Sequence, residues 1–186
     1  MNYHPDRHHR RSIRLPGYDY SQSGWYFVTI CSYKKQCIFG DIKVGKICLN
    51  YIGTIVREEW LKSAQMRQEV ELDEWIIMPN HIHGIVVIVN GDLDTNGAQA
   101  LRSYKKPRSL SSFIGGFKSS VTKRIKEFSQ QPSPPVWQRN YYESIVRNER
   151  HLNQIRQYII DNPQKWDEDP EKPQNQSQDI FIDLLF

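Results

Sequence analysis

The hydrophobic positions of this 186-residue chain switch between a period of two and a period near 3.6, and each switch marks an element. Trp25-Tyr26-Phe27-Val28-Thr29-Ile30-Cys31 is aromatic and β-branched, which predicts a first strand. A short hairpin is expected around Gly40 to Gly45. From Asn50 to Met66, Ile52, Ile55, Val56 and Trp60 form one stripe, with Leu61 at its margin. Arg57, Glu58, Glu59 and Lys62 fall off that stripe, so a first helix is predicted with Trp60 as its core anchor. Glu71 to Met78 reads as a second strand, Pro79-Asn80 as a turn and His81 to Val89 as a third strand, joined as an antiparallel hairpin. Beyond its histidines the third strand is apolar on both faces, Ile85, Val87 and Val89 on one and Ile82, Val86 and Ile88 on the other. That makes it a central strand.

Asn90 to Pro107 is a polar connector expected to be a flexible surface loop. Ser109 to Phe128 carries Leu110, Phe113, Ile114, Phe117, Val121, Ile125 and Phe128 at intervals of three and four, a second helix with N-cap serines. Gly115-Gly116 inside it predicts a bend or a close backbone approach. Val136 to Val146 begins as loop and ends as a fourth strand. Glu149 to Asp161 is the last helix, with Leu152, Ile155, Ile159 and Ile160 apolar, ended by Pro163. The order β-α-β-β-α-β-α predicts an α+β fold: a ferredoxin-like, four-stranded antiparallel sheet followed by a C-terminal helix. The expected organisation is a basic arm at 1–16, a globular domain at 17–166 and an acidic tail at 167–186 whose apolar end, Ile180 to Phe186, docks back on the domain.

Charge sharpens this picture. The formal net charge is +4, yet residues 167–186 hold six acids and one base, leaving 24 basic against 15 acidic residues before them, an excess of nine. Such an excess suggests a polyanionic partner. Between Arg102 and Lys126 lie eight bases and no acid, which favours phosphate binding over a merely solvated face. Arg11 and Arg14 in the arm and Lys105, Lys106, Arg108, Lys118, Lys123 and Arg124 further on are the candidate phosphate-backbone contacts. The arm reads equally as a solvated terminus or as a strap across a phosphate backbone. Three cysteines without C-x-x-C spacing point to reduced packers rather than a zinc site or a disulfide framework. With no signal-peptide pattern and no membrane-length apolar run, a soluble, cytoplasmic protein is expected.

The candidate chemistry starts at Met78-Pro79-Asn80-His81-Ile82-His83-Gly84-Ile85-Val86. A strand sends alternate side chains to one face, so His81 and His83 point the same way, within reach of one metal ion. On the last helix Tyr158 and Asn162 are four apart and share a face. Two imidazoles and an amide are neutral ligands. They would leave a divalent cation its full charge as a Lewis acid, suit Mn²⁺ and tolerate Mg²⁺. A tyrosine beside such an ion is a candidate nucleophile. Against this, H-x-H pairs on strands are common, and Tyr158 has nine competitors, including Tyr141 and Tyr142 as base-stacking candidates. Composition and spacing stop at a basic α+β domain with a candidate metal site.

Met78 to Ile85, Trp137-Gln138-Arg139-Asn140-Tyr141-Tyr142-Glu143, and Arg147-Asn148-Glu149 onward to Tyr158-Ile159-Ile160-Asp161-Asn162-Pro163 together resemble the single-tyrosine HUH transposases, most nearly the REP-associated tyrosine transposases. Arg11 to Leu15 followed by Gly17-Tyr18-Asp19-Tyr20 is similar to the N-terminus of that branch, so the resemblance spans roughly residues 10–166. It implies a ferredoxin-like fold and a metal-dependent, single-strand DNA endonuclease and ligase working through a 5′-phosphotyrosine. Tyr158 would be the catalytic nucleophile, and His81, His83 and Asn162 would bind the metal, Mg²⁺ or Mn²⁺. The implied partner is single-stranded DNA with hairpin structure, engaged by a monomer or a homodimer at the nucleoid. The alternative is a non-catalytic, hairpin-specific binding module that kept the fold. A plain metal-dependent hydrolase is a third reading.

Overall fold

The computed structural model describes residues 22–89, 109–129 and 134–173. Expectations for the arm, the 90–107 connector and the apolar end of the tail fall outside the described residues. The first strand is β1 (Gly24–Cys31), followed by a separate hairpin of β2 (Gly40–Lys43) and β3 (Lys46–Leu49). Then come α1 (Tyr51–Gln65), β4 (Val70–Ile77), β5 (His81–Ile88), α2 (Leu110–Ser129), β6 (Tyr142–Ile145) and α3 (Glu149–Asp161). The main sheet is antiparallel in the order β4-β5-β1-β6. This is the expected α+β arrangement, with β5 between β4 and β1, and the expected small hairpin standing outside the sheet.

The strand period sorts the core. Tyr26, Val28 and Ile30 of β1 and Ile82, Val86 and Ile88 of β5 point to one face, where they pack with Trp60 of α1 and Phe113 and Phe117 of α2. The other face holds a smaller cluster of Ile85, Leu152, Ile155 and Ile159, edged by Trp25, Phe27, Ile76 and Val146. His81 and His83 share parity with Ile85, so they face α3 rather than α1 and α2. The helix ends are set locally: the Asn50 side chain accepts from Gly53 N at 2.9 Å, and that of Asn148 from His151 N at 2.9 Å.

Three expected core residues lie outside. Leu61, Phe128 and Ile160 are exposed at the edges of their stripes, and Phe128 covers the Tyr51 ring on the surface instead. Glu59, read as solvent-facing, is buried because Arg124 of α2 reaches its carboxylate at 2.9 Å. Gly115-Gly116 does not interrupt α2. A Cβ at Gly115 would meet nothing within 4 Å, whereas one at Gly116 would sit 2.8 Å from the Arg67 guanidinium.

Gly84 is the sheet's tightest fit under α1. A Cβ there would lie 3.0 Å from Cζ2 of the fully buried Trp60 ring and 3.3 Å from the Trp75 Cβ. Gly84→Val should therefore overpack this contact and lower stability by about 1–3 kcal/mol. The measurement is the urea midpoint; an unchanged midpoint would refute the close fit.

Candidate metal and tyrosine site

β5 presents His81 and His83 on the α3 face, with ring centroids 4.3 Å apart. Each ring is fixed through Nδ1. His81 Nδ1 lies 2.8 Å from Asn80 Oδ1, while Asn80 Nδ2 donates to the carbonyls of Lys35 and Glu171. Those two donations assign the Asn80 amide, so its oxygen faces His81, whose Nδ1–H donates and whose Nε2 keeps the lone pair. His83 pairs with Thr29, its register partner on β1, through an Nδ1 to Oγ1 contact of 2.9 Å. Both Nε2 atoms are thereby turned to one side.

α3 brings the tyrosine. Arg156 grips Asp73 on β4 with two bonds of 2.7 and 2.6 Å and covers the Trp25 ring. Asp73 is free to do this because the β4–β5 register slips between Leu72 and Trp75. Two residues on, the Tyr158 hydroxyl lies 3.2 Å from His83 Nε2, and its ring meets Phe27 edge-on. Tyr158 is 41% exposed, whereas His81 and His83 are 0% and 2% exposed, so the phenol opens to solvent while the imidazoles do not. Asn162 is buried one turn further on.

The segment after α3 completes the site, and sequence reasoning assigned it no role there. After a 3-10 turn at Trp166–Glu168 the chain passes beneath the histidines. Asp169 is buried with Oδ2 3.8 Å from His81 Nε2, and its Oδ1 accepts from Glu171 N at 2.7 Å. Glu171 accepts from Lys35 at 2.9 Å and from the Cys31 thiol at 3.3 Å. Nothing in the periodicity of Asp167-Glu168-Asp169-Pro170-Glu171 marks it.

Burial sets the electrostatics. It drives the His81 pKa well below the ordinary histidine value and that of His83 to about 4, so both are neutral at pH 7. The His81–Asp169 contact is thus not an ion pair. Burial also raises the Tyr158 phenol and the Asp169 carboxyl; the Asp169 charge raises the phenol further, while an Asn162 hydrogen bond lowers both. His81 Nε2, Asp169 Oδ2 and Asn162 Oδ1 are buried without a hydrogen-bond partner, an arrangement that costs free energy unless a donor or a cation satisfies them. His81, His83 and Asp169 form a buried group whose donor atoms lie within 4.8 Å of one another, able to hold one metal ion. Two imidazole nitrogens and a carboxylate oxygen are a donor set able to take a divalent cation, and the carboxylate is one donor the resemblance does not imply.

The basic residues divide. Lys118 is half-buried and donates to the carbonyls of Gln138 and Asn140 at 2.9 and 3.0 Å. Burial lowers its pKa to about 8. Arg124 is held by Glu58 and Glu59 of α1. Lys123 is exposed beside Glu127 at 3.8 Å. Arg11, Arg14, Lys105, Lys106 and Arg108 lie outside the described residues. Among the described residues, no helix is long and apolar enough to cross a membrane.

No family model matches the chain. An uncharacterized protein of Haemophilus influenzae is 39% identical over 173 residues, 90% of this chain and 95% of that one. The chain belongs to one family with this protein. Among solved structures, a REP-associated tyrosine transposase bound to a REP hairpin matches this chain's fold with a TM-score of 0.57 at 19% identity, covering 82% of this chain and 74% of that one. The fold expected from the transposase resemblance is the fold found.

The buried imidazoles predict a pH effect. A histidine whose folded pKa is depressed binds its proton more readily when unfolded. Its stabilising contribution is full above about pH 6.5 and is lost as pH falls towards 4, up to about 3 kcal/mol for His83. The raised Asp169 carboxyl acts in the opposite sense. Urea unfolding of wild type and His83→Gln in chelator should therefore differ in slope across that window, the variant being flatter. Parallel curves would contradict the assignment.

Proposed function

We propose that the chain is a metal-dependent DNA strand transferase, which cleaves and rejoins single-stranded DNA at hairpin or repeat sequences through a 5′-phosphotyrosine. The observation that carries this reading is the 3.2 Å approach of the Tyr158 hydroxyl to His83 Nε2, from elements 75 residues apart in sequence. A solvent-open phenol beside two buried, neutral imidazoles is what such a transfer needs.

Tyr158 is the nucleophile. Its oxygen bonds to phosphorus, the bond from phosphorus to the 3′ oxygen breaks, and the phenolic proton ends on that oxygen as a free 3′-hydroxyl. Because a phosphodiester is exchanged for a phosphotyrosine ester, the reverse attack rejoins an end without ATP. His81, His83 and Asn162 would hold the cation, with Asp169 as a further donor. That mixed N/O set suits Mn²⁺ and accepts Mg²⁺. When bound, the cation supplies Lewis-acid polarisation of the phosphoryl oxygen and a positive charge that eases loss of the phenolic proton. The His83 Nε2 lone pair serves one partner at a time, so the Tyr158 hydrogen bond and cation binding compete. Thr29 and Asn80 keep the imidazoles oriented.

The partner is single-stranded DNA with hairpin structure, bound by a monomer or a homodimer in the cytoplasm, at the nucleoid when acting. Residues 17–166 form the catalytic domain, between the basic arm at 1–16 and the acidic tail at 167–186, whose start at 167–173 serves the site. Lys123 is an exposed phosphate contact on α2, joined by Arg11, Arg14, Lys105, Lys106 and Arg108. Lys118 and Arg124 contribute through the loop and helix that they hold. The second reading, a hairpin-binding module without catalysis, draws on Glu171, whose carboxylate lines the tyrosine cavity where a phosphate would sit.

Incubation with a panel of single-stranded hairpins and Mn²⁺ or Mg²⁺, followed by mass mapping of DNA–peptide adducts, tests this. Wild type should yield an adduct on Tyr158. Tyr158→Phe should yield none while DNA affinity changes less than about 2-fold, and His83→Ala should slow cleavage at least about 100-fold. An adduct surviving in the Phe variant assigns another nucleophile. Tight, metal-independent binding without any product favours the binding module.

A further inference from the structure

Two cavities flank the loop at residues 137–141. One, of about 480 Å³, holds the Tyr158 hydroxyl, is walled by Phe27, Tyr142, Asn140 and Gln138, and also carries the paired Lys35 and Glu171. The other, an open groove of about 670 Å³ along α2, is lined by Lys118, Lys123, Lys126 and Arg139 against a single acid, Glu127. Gln138 lines both, so the two meet across this loop. The loop is held rather than loose. Lys118 ties its carbonyls at Gln138 and Asn140, the Trp137 indole N–H donates to Lys118 O at 3.1 Å, and Gln138 N donates to Cys31 O at 3.0 Å.

We propose that the unpaired flank of the DNA substrate runs from the α2 groove over Gln138 into the tyrosine cavity, its backbone held by Lys123, Lys126 and Arg139. This deepens the proposed strand-transfer reading and rests on it for the identity of the ligand. A cationic track joined to a cavity with aromatic walls is how proteins hold single strands, phosphates in the track and bases against the rings. Gln138 and Asn140 line the cavity and are exposed, so their amides are available to pair with the edge of an unstacked base, an edge that only an unpaired nucleotide presents. A duplex keeps its bases stacked and offers the cavity nothing to seat. Lys126 and Arg139 are exposed and carry no fold-holding bond such as those of Lys118 and Arg124. They are therefore the positions at which charge reversal reads the track alone.

The test uses the full chain in chelator, so that cleavage plays no part, and fluorescence anisotropy with a labelled hairpin, bare or extended by about six unpaired nucleotides. The extension should tighten binding by wild type at least about 10-fold. The double variant Lys126→Glu/Arg139→Glu should cut that gain below about 2-fold and make the salt dependence shallower by about one to two. The same charge change at Arg57 and Lys62 on α1 should leave the gain intact. Three results overturn the proposal: no gain in wild type, a gain that survives in the double variant, or an equal loss in the α1 control. A groove-dependent gain without a Tyr158 adduct in metal would keep the strand path and remove the nuclease. Adducts with a groove-independent gain would do the reverse.

Discussion

The pairing of β5 with β1 is the constraint from which the rest follows. Eight residue pairs run from Gly24–Ile88 to Cys31–His81 without a slip. A shift of one residue would send every side chain of β5 to the opposite face. Both histidines would then point into the cluster of Trp60, Phe113 and Phe117, and Ile82 and Val86 would face α3. The apolar residues on both sides of β5 enforce the register, because either face loses its packing on a slip. The histidines are held in place by residues that take no part in their chemistry.

Burial then does two things at once. It keeps both imidazoles neutral, which a metal ligand requires. It also removes the water that would satisfy His81 Nε2, Asp169 Oδ2 and Asn162 Oδ1. A buried carboxylate beside a neutral imidazole is costly without a cation. The same three atoms are cheap to bury once a cation is shared among them, because none of them must first give up a protein partner. Asp169, as a donor to such an ion, would change the charge arithmetic. Neutral ligands would leave a divalent ion at +2, whereas one carboxylate leaves about +1, weakening its pull on a phosphate and strengthening its grip on the protein.

Much of the fold was legible because strands and helices write their period directly into the chain. β1, β5 and α3 fall where their patterns put them, and the α3 bounds coincide with those expected. The exposed Leu61, Phe128 and Ile160 mark the limit of that reading: an apolar residue at a stripe's edge carries the same letter as one at its centre. His81, His83, Tyr158 and Asn162 could be named because each pair obeys a local period. That the pairs meet is a tertiary fact, carried beforehand only by the family resemblance. Asp169 was not legible. It lies in an irregular segment, and its placement depends on Asn80 Nδ2 reaching the Glu171 carbonyl and on Lys35 reaching the Glu171 carboxylate. No pattern in one stretch of sequence encodes such a meeting of three. The expectation that the bases of α2 form one phosphate-binding set met a similar limit. Spacing says which residues are basic, but Arg124 faces two glutamates of α1 and Lys118 faces backbone carbonyls.

The tyrosine's reach within its own chain follows from how α3 is held. Leu152, Ile155 and Ile159 are buried against Ile85 and its neighbours, and each such side chain contributes about 1.5–3 kcal/mol relative to exposure. Arg156 adds a two-bonded carboxylate contact at the register slip of β4, a geometry that fixes rotation as well as position. Lifting α3 away to serve another copy of the chain would expose the apolar residues and unpair Asp73. It would be tolerated only if the other copy offered the same surface in return. An exchange of helices between two copies is neutral in contacts and paid for in association entropy, whereas docking in place needs no partner. Asn148 caps α3 three residues after β6 ends, leaving a short connection with little slack for such an exchange. Within one chain the phenol is thus brought to His83 by the contacts that also complete the sheet's second face.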